Sequence, residues 1–129
     1  MAEWAMPETV LRVFLRERFP AATVSAETPK DLETKLPFIR LAVVGGADDR
    51  LTDSTVIDVE TFAASRYDAG ILAEEVRDAI LSFQGREDSA NRWLIDTTDT
   101  LTRPRWVDYR NPLVQRYVGT YSVGMRPLR

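Results

Sequence analysis

Asp58 and Glu60 sit two residues apart in a strand-like run from Val56 to Phe62, so their carboxylates share one face. Two-metal nucleases use such pairs to hold ions, and Asp96, in another strand-like run, is placed to join them across a sheet. A second acidic group, Asp48, Asp49 and Asp53, follows Gly45-Gly46. Its spacing lacks the bidentate acid of a calcium loop. The glycine pair is not followed by the Gly-x-x-x-x-Gly-Lys pattern of a phosphate loop, and its aspartates would repel an anion, so a turn is the preferred reading. The chain contains neither cysteine nor histidine. That excludes disulfides, thiolate sites, the usual zinc centres and the serine–histidine triad, leaving carboxylates, Lys30, Lys35 and tyrosines as the only candidates for catalysis. The acidic groups therefore read first as solvated faces, with a carboxylate–metal enzyme as the distant alternative and no cofactor expected. A third group, Arg103, Arg105, Trp106, Tyr109 and Arg110, combines the residue classes most enriched at interface hot spots. Trp106 divides evenly between covering the core and meeting a partner, and nucleic-acid binding ranks behind both because the sequence pI is near 5.0.

These groups need elements to carry them. Pro7 suits the first turn of a helix, Glu8 its positive end and Arg16 and Arg18 its negative end, and Pro20 stops it, which predicts a helix over 7–19 with Val10, Leu11 and Phe14 on its apolar stripe. Trp4 precedes it as a candidate anchor. Strands are predicted around 22–26 and 38–44, the second ended by Gly45-Gly46, with residues 45–54 forming a projecting loop. In the next strand Ile57, Val59, Thr61 and Ala63 share the face opposite Asp58 and Glu60. Antiparallel pairing would put Ile39, Leu41 and Val43 on the apolar face and Arg40 beside Asp58 or Glu60. Ser65 is placed as an N-cap with Asp68 three residues on, Leu72, Val76, Ile80 and Phe83 follow at helical spacing, and Gly85 ends the helix. A strand over 93–98 comes next. Pro104 and Pro112 bracket a loop or edge segment over 103–112, and a last alternating strand runs over 113–125.

That order predicts an α+β domain, a mainly antiparallel sheet with two helices packed on one face. Its 129 residues suit one domain, and 44% hydrophobic content argues against disorder. No apolar run approaches the roughly 20 residues of a membrane span, and the N-terminus, acidic at Glu3, lacks the basic region of a signal peptide, so a cytosolic protein is expected. Charge is uneven: residues 103–129 carry six arginines against Asp108, a balance of +5, while residues 1–102 carry −8. Such a tail can face another subunit or a nucleic acid, or can pair with carboxylates of its own domain.

Val56-Ile57-Asp58-Val59-Glu60-Thr61-Phe62-Ala63, the alanine-rich helix from Ala69 to Val76, Pro104-Arg105-Trp106, and Asn111-Pro112 followed by Arg116-Tyr117 resemble, in this order, the tail terminator proteins of long-tailed bacteriophages. The likeness covers almost the whole chain, and none of its motifs is catalytic. It implies a ring, commonly a hexamer, on the head-proximal end of the tail tube, assembled in the host cytoplasm and carried in the virion. The implied partners are further copies of the chain, the tail tube protein and the head-closure protein, with DNA passing through the lumen without specific binding. Another head–tail connector component is the nearest alternative. On this resemblance Asp48, Asp49 and Arg50 in one projecting segment, and Arg103, Arg105, Trp106, Tyr109 and Arg110 in the other, are the expected docking residues.

Overall fold

The computed structural model describes residues 7–48, 53–89 and 92–128. Trp4, Asp49 and Arg50 therefore lie outside the described residues. Helix α1 (Pro7–Arg18) is followed by strands β1 (Thr23–Ser25), β2 (Phe38–Asp48) and β3 (Asp53–Ala63), helix α2 (Arg66–Ser82), and strands β4 (Glu87–Asp88), β5 (Trp93–Trp106) and β6 (Gln115–Pro127). They form one six-stranded sheet in the order β1-β2-β3-β6-β5-β4, antiparallel at every junction except β1 with β2. The predicted α+β architecture is the observed one.

Both helices lie on one face because the sequence makes that face apolar. Val10, Leu11, Phe14 and Leu15 of α1 and Val76, Ala79, Ile80 and Phe83 of α2 pack on Ile39, Leu41, Ile57, Val59, Tyr121 and Val123 in one buried cluster. Each large side chain taken from water there contributes about 1.5–3 kcal/mol. Leu72, expected fully inside, is only partly buried. The α2 cap forms as its spacing predicts: the Ser65 hydroxyl accepts from the Asp68 backbone N–H at 3.1 Å. Past the helix end Gly85 adopts φ +85°, a conformation costly to a residue with a Cβ.

The β2–β3 register follows the alternation, with Leu41 opposite Val59, Val43 opposite Ile57 and Arg40 opposite Glu60. Val43 points to the apolar face yet remains exposed, as does Val44.

Two segments depart from expectation. Gly45-Gly46 does not end its strand: the ladder slips by one residue between Val43 and Gly45 and then pairs on to Asp48 opposite Asp53. Over its described residues the expected loop is thus a two-stranded arm: the bulged residue is Val44, and Gly45 and Gly46 pair opposite Val56 and Thr55. Gly46 has φ +140°, and a Cβ there would meet the Ser54 carbonyl oxygen at 2.3 Å. The other departure is Arg103–Trp106, which belongs to β5 rather than to a loop. Pro104 is accommodated because β5 has slipped register between Thr102 and Arg105, and because β4 pairs only with Trp93 and Leu94, leaving the remainder of β5 at the sheet edge among the described residues.

A second, smaller core lies beneath the opposite face. Leu32, Phe38, Phe62 and Val114 are buried together, with Leu36 and Tyr109 packed against them. Phe62 makes edge contacts with Phe38 and Tyr109, with ring centroids 6.1 and 5.2 Å apart. The charged face inferred from Asp58 and Glu60 is therefore covered at one end by residues 26–37 and 107–114.

Candidate docking surface

Glu60 is the centre of that covered end. It is 8% exposed, and its carboxylate accepts from Arg40 Nη1 through Oε1 at 2.5 Å and from Arg116 Nη1 through Oε2 at 3.3 Å. Both guanidiniums are held by backbone as well: Arg40 Nε donates to the Ala26 carbonyl at 3.1 Å, and Arg116 donates to the carbonyls of Val107 and Asp108 at 3.4 and 2.6 Å. Arg116 also stands 5.1 Å over the Tyr109 ring. The trio therefore clamps the 107–116 connection onto the sheet and floors a cleft of about 660 Å³ lined also by Glu27, Thr28, Asp108 and Arg110. Alternation in the sequence puts Arg40 beside Asp58 or Glu60 on a solvated face; the structure selects Glu60, adds Arg116 and buries Glu60.

The carboxylates do not converge on a metal. Asp58 accepts from the Thr120 hydroxyl at 2.7 Å, and Asp96 lies 3.5 Å from Arg126. Asp96 lies in β5 beside Gly124 and Met125, whereas Thr120 is opposite Thr102, so the two carboxylates are about 15 Å apart along the sheet. Among the described residues no group of three potential ligands is assembled. The backbone of Asp48 pairs opposite that of Asp53 in the ladder.

The arginine–aromatic group is divided by the sheet instead of forming one loop. Trp106 is opposite Tyr117 on the helix-bearing face, 36% exposed, with Arg66 4.5 Å above its ring and its Nε1 donating to Gln115 Oε1 at 3.0 Å. Arg103 reaches Glu74 of α2 at 3.8 Å. Arg105 is opposite Val118, which is itself opposite Glu60, and so points away from the helices. Tyr109 covers the small core, and Arg110 lines the cleft. Of the C-terminal arginines, Arg103, Arg116 and Arg126 pair with carboxylates of the same chain, whereas Arg105 and Arg110 have no partner among the described residues.

Apolar side chains that alternation did not single out stand outside this group. Tyr67 and Ile71, one turn apart on α2, are exposed, as are Leu101 and Leu113. Ile71 and Leu72 form one wall of a groove of about 420 Å³ whose other side is Leu36 and Pro37. These exposed side chains lie apart from the Glu60 network on the described surface.

No family model matches the chain, and no curated protein matches it. Among solved structures, a chain from the virion of a native gene transfer agent particle superimposes with a TM-score of 0.64 over 93% of this chain and 94% of that one, at 16% sequence identity. The two chains share a fold over nearly their full lengths.

Proposed function

We propose that this protein is a structural subunit of a phage-like virion and acts by docking, not by catalysis. The observation that carries the reading is the near full-length likeness to a virion chain. The ordered resemblance to tail terminators supports the finer assignment: a ring on the head-proximal end of the tail tube that stops polymerisation and offers the head-closure protein its seat. Head-to-tail contacts between identical subunits close into a ring when the rotation between them divides a full turn. One ring face then matches the last ring of the tube, and the other lacks a tube-like surface, so growth ends. Docking of this kind needs no bond to be made or broken, in keeping with a chain that lacks cysteine and histidine. Arg105, Arg110 and the partly exposed Trp106 are the side chains offered for these contacts, with the β2–β3 arm as the second element. DNA crosses the lumen without base-specific contacts.

The test combines the native mass of the purified protein with electron microscopy of tail tubes incubated with it. A ring-sized mass and tubes capped at one end are expected. A protein that stays monomeric at assembly concentrations, or that binds portal complexes but not tube ends, would overturn the terminator assignment.

A further inference from the structure

Leu113 is the most exposed aliphatic side chain among the described residues, at 63%, yet it does not sit on a loose loop. The Asn111 side chain accepts from the Leu113 backbone N–H at 3.0 Å and donates to Glu33 at 3.0 Å, while the next residue, Val114, is buried in the small core. A leucine is thus held out to solvent by a pinned turn. Arg110, three residues earlier, is exposed and has no partner among the described residues. The groove between α2 and Leu36-Pro37 is lined by Ala63, Ile71 and Leu72, with the acids Asp68 and Glu75 beside them. These two acids are seven residues apart on one side of α2, about 10 Å along the axis, and neither side chain has a partner among the described residues.

We infer that the groove receives Leu113 of a second copy of this chain, with Arg110 of that copy directed to the Asp68–Glu75 rim. Shape and charge both argue for this occupant: an apolar projection beside an unpaired cation fits an apolar slot beside unpaired anions. The chain does not fill its own groove here: Leu113 is exposed to solvent and is not among the residues that line the groove. Each pairing therefore leaves one free projection and one free groove, the condition for a closed ring or a continuing stack. This inference rests on the self-assembling reading proposed above and names the surface that performs it.

Two exposed substitutions test it. Leu113→Asp removes the projection and Ile71→Glu spoils the groove, and far-UV circular dichroism of each variant checks that the fold is kept. Measured by native mass, each variant alone is expected to be monomeric, and an equimolar mixture is expected to give a dimer and nothing larger, since only one intact pairing remains. Arg110→Glu is expected to weaken assembly at least about tenfold, and adding Glu75→Arg to the same chain to recover most of that loss. Variants that keep the wild-type mass would overturn this surface while leaving ring formation intact. Variants that stay monomeric when mixed would overturn it as well, and a wild-type protein that never assembles would remove both readings.

Discussion

Glu60 shows how one side chain can hold a surface together, since two arginines from different strands meet on its carboxylate. Its two arginine partners are 33% and 22% exposed, so the network is partly screened and is worth less than a fully buried one. Glu60→Ala should destabilise the fold by about 2–3 kcal/mol in urea unfolding and should raise hydrogen exchange in the 107–114 connection, because two guanidiniums lose their anion at once. Tyr121 makes a separate prediction. Its ring is buried in the helix-side core, and burial, partly offset by Arg77, pushes its phenol up to about 12. The folded state then holds this proton more tightly than the unfolded chain, whose tyrosines ionise near 10. The stability that Tyr121 contributes is present below about pH 10 and is lost as pH rises toward about 12. Unfolding midpoints measured across that window should fall less steeply in Tyr121→Phe than in the parent chain.

Among the elements, the cap and the arm offer the clearest tests. Ser65→Ala removes the acceptor of the Asp68 N–H and should cost about 1 kcal/mol, with Ser65→Asp retaining most of it. Gly46→Ala places a methyl group against the Ser54 carbonyl at a left-handed φ, so it should disturb the β2–β3 arm and lower the melting temperature, while the same change at Gly45, whose Cβ would meet open space, should be far milder. How much of this the residues disclosed depended on which signal was local. The Arg40–Glu60 register, the Ser65 cap and the apolar faces of α1 and α2 follow from spacing alone. The length of the arm did not, because a bulge lets a strand continue through glycines that usually end one. Nor did the end of β5, since Pro104 reads as a breaker until the slipped edge register that tolerates it is seen. The small core was hidden because it is built from distant segments. Its one local clue was Phe62, a large aromatic residue on the same face as Asp58 and Glu60, where a solvated face has no use for it. The candidate docking residues are legible by type only: periodicity cannot show that the sheet separates Trp106 from Tyr109 and Arg110.

For the whole molecule, the decisive experiment is assembly. Trp106→Ala combined with Arg105→Ala should leave the monomer folded, because both side chains stand at the surface, and should impair ring formation or tube capping when followed by native mass and microscopy. Intact rings and intact capping in that variant would remove these two residues from the docking surface. Three of the C-terminal arginines pair with carboxylates within the chain, and only Arg105 and Arg110 remain available among the described residues. The outer edge of β5 carries a different kind of information. Its pairing with β6 slips at Ile95/Thr97, at Thr100/Thr102 and at Thr102/Arg105, with Pro104 inside the last irregularity. A crooked edge that lacks one amide hydrogen is a poor template for a foreign strand. Copies of the chain that meet edge to edge along β5 then gain little from pairing there.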